Sequence, residues 1–89
     1  MKHLNWSPEK NELLKKQRNL SFEEIAYLIE AGQILGIEEN SNRPHQRMYV
    51  IEMENYAIVV PFVETQNEIF LKTAFPSRKH AKRYGLKGA

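Results

Sequence analysis

The chain has 89 residues, enough for one domain over residues 1–89, and its 42% hydrophobic and 27% charged residues are ordinary for a globular protein. It has no Cys, which excludes disulfides and thiolate metal sites, and its eleven acidic residues are all Glu, so Asp, a common Mg²⁺ ligand, is missing. The net charge is only +2 at pH 7. Because three scattered His residues do not make a convincing zinc site either, we expect neither a metal nor a cofactor.

The apolar segments do not indicate a membrane protein. The first residues, MKHLNW, lack the apolar stretch of a signal peptide. The longest apolar run, residues 56–63, contains a proline and is far shorter than the ~20 residues that cross a bilayer. We therefore expect a cytoplasmic protein without a membrane partner.

Two helices are predicted in the first half of the chain, after a short strand at residues 3–6. Ser7, which is followed by a proline, is typical of a helix N-cap. That helix should end at Asn19, a residue that tolerates a left-handed C-cap. The sequence SFEE at residues 21–24 is a capping box, so it begins a second helix, which should stop near Gly32.

The second half is dominated by strand patterns. It predicts a short strand, a polar mobile loop and then three strands joined by hairpins, at residues 33–37, 38–45, 47–53, 56–64 and 68–75. Pro61 lies inside the middle one of these three strands, which predicts a bulge or an edge-facing position there. Ser77 then caps a final helix that ends before Gly85, and residues 86–89 form a flexible tail.

This order of elements predicts an α+β domain. Its strands form a small antiparallel sheet, a meander, and its two N-terminal helices and one short C-terminal helix cover one face of that sheet.

Charge is distributed unevenly along the chain. The last acidic residue is Glu68, and the 21 residues that follow contain six Lys and Arg, whereas residues 1–68 carry seven Lys and Arg against eleven Glu. A surface without carboxylates suits a polyanion, and in so small a protein we expect that partner to be nucleic acid. A solvated helix face is the plainer alternative. The expected RNA-binding residues are Arg43, Lys79, Lys82 and Arg83.

Several segments of the chain resemble motifs of one known family. The sequence WSPEK at residues 6–10, followed by SFEE at 21–24, resembles the aromatic-Asp-Pro-x-Lys motif and the Ser-Phe-Glu-Glu-Ala helix start of the BrnT toxins. YAIVV at 56–60, IFLKTA at 69–74 and RKHAKRY at 78–84 are similar to the family's second half. The resemblance covers residues 4–84.

The resemblance implies a RelE/ParE-like fold and a metal-independent ribonuclease, the toxin of a bacterial type II toxin–antitoxin module. It also implies a neighbouring antitoxin of ribbon-helix-helix type and an RNA substrate, free or ribosome-bound. The chain departs from the family pattern at five positions. Ser7 replaces Asp, Gln17 falls near the family's His, Asn19 replaces Gly, Phe75 occupies the position of an Arg, and Pro76 is unexpected. The alternative therefore stays open that the protein is a non-catalytic nucleic-acid-binding or protein-interaction module.

A metal-free ribonuclease uses the 2′-OH of RNA to attack the adjacent phosphorus. The protein must transfer protons and stabilise the negative charge on the phosphate. Lys72, on a strand beside other cations, is a candidate proton-transfer group, and Arg78 and Arg47 are candidate phosphate ligands. His45, within two residues of two arginines, is a candidate acid.

Each assignment has a plainer alternative. In a regularly alternating strand, Lys72 shares a face with Phe70 and Ala74 and is a solvated side chain of a half-buried strand. The basic group at residues 43–47 is equally typical of a polar loop. His80, in the basic helix, is expected as a surface residue, and a catalytic role is the alternative.

Overall fold

Residues 2–87, the part of the chain that this computed structural model describes, form three helices and a six-stranded sheet. The elements are β1 (His3–Trp6), α1 (Pro8–Arg18), α2 (Phe22–Glu30), β2 (Ile34–Glu39), β3 (Arg47–Met53), β4 (Tyr56–Glu64), β5 (Glu68–Leu71), β6 (Phe75–Pro76) and α3 (Arg78–Arg83). The fold class is therefore α+β, as predicted. Within the same residues, no helix is long and apolar enough for a membrane crossing.

The sheet is mixed. Its strand order is β1-β5-β4-β3-β2, and β6 pairs with β4 beyond the end of β5. Strands β2 to β5 form the predicted antiparallel meander, with Arg47 opposite Phe62 in the central pair. Strand β1 instead runs parallel to β5, with His3 opposite Glu68. The prediction of an antiparallel sheet is wrong at this edge, because a four-residue strand carries no local signal for its neighbour or its direction.

Side-chain caps begin both N-terminal helices where the sequence predicts them. The Oγ of Ser7 accepts a hydrogen bond from the Lys10 N–H at 3.2 Å, and the Oγ of Ser21 accepts one from the Glu24 N–H, also at 3.2 Å. Asn19 ends α1 in the left-handed conformation, with φ of 55°. Caps of this kind typically contribute ~1 kcal/mol each.

Helices cover both faces of the sheet. On one face, α1 and α2 pack Leu14, Phe22 and Ile25 against the side chains of β3 and β4. On the other face, Ala81 of α3 packs with Val50. The prediction that all three helices share one face is therefore wrong for α3. Strand β4 is buried continuously from residue 57 to 62, so it offers two apolar faces, and its pattern does not say which face a later helix will cover.

The chain remains packed just beyond α3. Gly85 has a positive φ of 70°, which turns the backbone so that the Leu86 N–H donates to the Ala81 carbonyl oxygen at 2.8 Å. The Leu86 side chain packs against the cluster that contains Val50. The rest of the tail predicted at 86–89 includes residues 88 and 89, which lie outside the described part of the chain.

A bulge separates β5 from β6. Residues 72–74 lie between these strands, opposite only two residues of β4, Val60 and Pro61. The Lys72 N–H donates to the Pro61 carbonyl oxygen at 2.8 Å, but proline has no N–H with which to return the bond. The prediction of one continuous strand over 68–75 is wrong at residues 72–74. The bulge expected at Pro61 in β4 occurs instead in these residues, which lie beside Pro61.

The extra residue changes which side chains face the core. Ala74, rather than Thr73, is fully buried beside Leu71 on the α1–α2 face. Lys72 is exposed and Thr73 is half-buried, and both lie on the α3 side of the sheet. The regular alternation expected for this strand therefore fails after Lys72.

Gly36 of β2 allows α3 to approach this edge strand closely. A Cβ atom at Gly36 would lie 2.3 Å from the Tyr84 hydroxyl oxygen. The same hydroxyl donates a hydrogen bond to the Glu38 carboxylate at 2.9 Å. Because Gly36 has no side chain, Tyr84 at the end of α3 can approach β2 and form this hydrogen bond with Glu38.

We predict that Gly36→Ala lowers the free energy of unfolding by about 1–3 kcal/mol, because the added methyl group displaces the Tyr84 hydroxyl. In a Tyr84→Phe background the same substitution should cost clearly less, since the clashing oxygen is gone. Urea unfolding of the wild type, both single variants and the double variant measures this coupling. An equal cost of Gly36→Ala in both backgrounds would contradict the close-contact explanation.

Candidate functional site

An open groove of about 800 Å³ lies on the α3 face of the sheet, between the β2–β3 loop, the bulge and α3. Its floor is apolar and is formed by Met48, Pro61 and Phe75. Its cationic side chains come from three separate segments of the chain. They are Arg43, Lys72, Lys79 and Arg83.

The β2–β3 loop forms one wall of the groove. The predicted loop over 38–45 starts too early, because Glu39 still pairs with Arg47 in the sheet. From Asn40 onwards the chain folds into turns. The Arg43 N–H donates to the Asn40 carbonyl oxygen at 3.1 Å, and the Gln46 N–H donates to the Arg43 carbonyl oxygen at 2.9 Å. These bonds hold Arg43 at the rim.

The opposite wall is α3, whose start is set by the N-cap Ser77. Lys79 and Arg83 are four residues apart, so they lie on the same side of the helix and both line the groove. Arg78 and Lys82 are exposed on α3 but do not line it. The structure therefore separates the basic residues of this helix into a groove-lining pair and an outer pair.

The Glu38 carboxylate ties β2 to α3 inside the groove. It accepts hydrogen bonds from Arg83 Nη1 at 2.5 Å and from the Tyr84 hydroxyl at 2.9 Å, and it lies 3.3 Å from His80 Nε2. Partial burial raises the pKa of Glu38, but the Arg83 and Tyr84 hydrogen bonds and the neighbouring positive charge outweigh burial and place it below the ordinary value. Burial and the Glu38 carboxylate raise the pKa of Tyr84.

His80 is buried, contrary to its predicted surface position. Its side chain lines the groove, and the residue is only 9% exposed. Its Nδ1 lies 2.7 Å from the Ser77 Oγ, and its Nε2 faces Glu38. When Nδ1 carries no proton, it accepts a hydrogen bond from the Ser77 hydroxyl. The spacing Ser77-x-x-His80 at a helix start was the available sequence signal for this pairing.

Three of the groove cations have no carboxylate partner within residues 2–87. Arg83 is paired with Glu38, whereas Arg43, Lys72 and Lys79 form no ion pair in this part of the chain. The Lys72 Nζ lies 5.5 Å from the centroid of the Phe70 ring, and the side chain is exposed. Among the described residues, these three cations of the groove therefore have no carboxylate within ion-pair distance.

Two predicted catalytic residues lie outside the groove. Arg47 is on the α1–α2 face of the sheet, with its guanidinium 5.4 Å from the centroid of the Phe62 ring and 2.5 Å from the Glu64 carboxylate. His45 is exposed on the loop but does not line the groove. Of the four predicted catalytic residues, only Lys72 lines the groove, so the structure does not bring them together.

A metal centre is not visible among the groove side chains. Across residues 2–87, no three His or Glu side chains are grouped so that they could hold a metal ion. The polar chemistry of the groove is instead that of cationic side chains, one buried imidazole and two carboxylates, those of Glu38 and Glu39.

We predict that Glu38→Gln reduces the acid sensitivity of the fold. Because the pKa of Glu38 is lowered in the folded state, its contribution is present above the ordinary value of 4.5 and is lost as pH falls through the lowered value. The variant should be less stable by about 1 kcal/mol at neutral pH, since a charged hydrogen-bond acceptor becomes neutral. Its free energy of unfolding should then fall less steeply than that of the wild type below about pH 4.5.

Urea unfolding between about pH 3 and pH 7 measures this difference. Glu39→Gln is the matched control, because the neighbouring Glu39 is exposed and forms no ion pair within residues 2–87. Glu38 and its three partners, Arg83, Tyr84 and His80, form what we call the Glu38 cluster. An acid slope for Glu38→Gln equal to that of the wild type would show that this cluster does not contribute to the acid sensitivity of the fold.

Comparisons with protein-family models, with curated proteins and with solved structures find no match to this chain. The resemblance to the BrnT toxins therefore rests on the sequence motifs alone.

Proposed function

We propose that this protein binds RNA in the groove between the β2–β3 loop, the bulge and α3. The observation that carries this proposal is the convergence of Arg43, Lys72 and Lys79, which come from three separate segments of the chain and lack carboxylate partners within residues 2–87. Unpaired cations in a concave surface attract a phosphate backbone and release its condensed counterions. RNA as the ligand makes the cytoplasm the proposed site of action.

We predict that Lys79→Glu weakens RNA binding at least tenfold at low salt, whereas Lys82→Glu has a much smaller effect. Both substitutions change the net charge equally on one helix, but only Lys79 lines the groove. Loss of one phosphate contact should also reduce the slope of log K against log salt by about 0.7 for a single strand. Fluorescence anisotropy with labelled RNA across a salt titration measures both quantities.

Equal losses in the two variants would contradict the groove as the binding site, because the overall charge of α3 would then decide affinity. Binding that does not depend on salt would contradict phosphate recognition itself.

A toxin ribonuclease is the second candidate function. It is favoured by the position of Lys72, an exposed cation in the bulge of the same groove that His80 lines. In this proposal the 2′-oxygen of RNA attacks phosphorus, the 5′-oxygen leaves, and a 2′,3′-cyclic phosphate forms. The Ser77 hydroxyl first releases His80 Nδ1, which then accepts the proton of the 2′-OH, and Lys72 donates a proton to the 5′-oxygen.

We predict metal-independent cleavage that persists in EDTA and leaves cyclic-phosphate or 3′-phosphate ends. Lys72→Ala should slow cleavage by ~10²-fold or more, because a positioned proton donor contributes at least that much. Its thermal midpoint should be nearly unchanged, since the side chain is exposed. Arg47→Ala and His45→Ala serve as controls that lie outside the groove and should retain the wild-type rate.

The assay uses purified protein with RNA alone and with translating ribosomes. Cleavage that stops on chelation would contradict the metal-independent mechanism. Full activity of Lys72→Ala would show that the catalytic site lies elsewhere. Absence of cleavage both with RNA alone and with ribosomes would leave RNA binding as the function.

The toxin hypothesis includes a RelE/ParE-like fold and a cognate antitoxin of ribbon-helix-helix type. Both come from the motif resemblance. The groove adds a physical reason for such a partner, because an acidic segment that covered Lys72 and Lys79 would exclude RNA and would be attracted by the same charge.

A further inference from the structure

The floor of the groove is apolar although its rim is charged. Pro61 is buried, and Met48 and Phe75 are half-buried, and all three line the same groove as Lys72 and Lys79. Phosphate groups gain nothing from an aromatic ring at this position. A nucleobase does, because its flat face stacks on aromatic side chains.

The unpaired cations of the groove lie around the apolar floor rather than on it. Arg43 is on the β2–β3 loop, Lys72 is in the bulge after β5, and Lys79 is on α3. Phosphates that bind these side chains leave the bases free to face the apolar floor between them.

We infer that an unpaired nucleobase stacks on Phe75 while the neighbouring phosphates bind Lys72 and Lys79. This inference rests on the RNA-binding function proposed above and adds the substrate class, which is single-stranded RNA. In a duplex each base is covered by its neighbours, so that only an unstacked strand offers a free face. The groove volume of about 800 Å³ lies in the range of sites for small organic ligands, ~300–1,000 Å³, so it is large enough for a nucleotide.

The test compares three labelled ligands: a short single-stranded RNA, the same strand with abasic sites, and its duplex. The wild type should bind the single strand tightest. Phe75→Leu keeps an apolar side chain but removes the ring, and it should weaken single-strand binding about tenfold or more. It should leave binding of the abasic strand unchanged, because the phosphate contacts remain. Phe75→Tyr, which keeps a ring, should stay close to the wild type.

A second measurement detects stacking directly. The only native tryptophan, Trp6, packs against Phe22 with ring centroids 5.8 Å apart, on the face of the sheet away from the groove. In a Phe75→Trp variant, the added fluorescence should be quenched by the single strand and not by the abasic strand.

The outcomes separate this inference from the proposed function. Equal affinity of the wild type for the single strand and the abasic strand, or no quenching at saturation, would overturn base stacking while leaving phosphate binding intact. Equal weakening of both strands by Phe75→Leu would show a packing role for Phe75 and would also overturn it. No binding of any RNA by the wild type would overturn the proposed function and this inference together.

Discussion

The missing N–H of Pro61 is the constraint from which the candidate site follows. In an antiparallel ladder, Pro61 and Lys72 would exchange two hydrogen bonds, but only the bond from the Lys72 N–H can form, at 2.8 Å. The neighbouring strand accommodates this loss with one extra residue in the segment 72–74. Because of that residue, Thr73 lies on the groove side together with Lys72, and Ala74 instead of Thr73 faces the core.

The Glu38 cluster attaches the short basic helix α3 to the sheet. Helix α3 spans only six residues, and its buried side chains are those of His80 and Ala81. So small an apolar contact is supplemented by hydrogen bonds from Arg83 and Tyr84 to one carboxylate of the edge strand. Since that carboxylate offsets the charge of Arg83, the remaining groove cations can face solvent without concentrating all four charges against one another.

Local signals predicted the local structure well. The caps at Ser7 and Ser21, the left-handed Asn19 and the bounds of β3 and β4 all depend on residues within a few positions of one another. The parallel neighbour of β1, the face chosen by α3 and the burial of His80 depend on contacts between distant segments. Such contacts leave no periodicity in a single sequence, so they could not be derived from it.

The candidate site also depends on both local patterns and distant contacts. One local pattern, the alternation of side chains in β3, predicts on which face of the sheet Arg47 lies. Residues two apart in a strand share a face, so Arg47 lies on the side of Tyr49 and the core, whereas Met48 lies on the side of the groove. Arg47 is close to Arg43 in the sequence, which suggested a shared site. The alternation of β3 instead places Arg47 on the core face of the sheet, whereas Arg43, on the loop, lines the groove. A basic residue within a strand is therefore better assigned to a site by its face than by its nearest charged neighbours in the sequence.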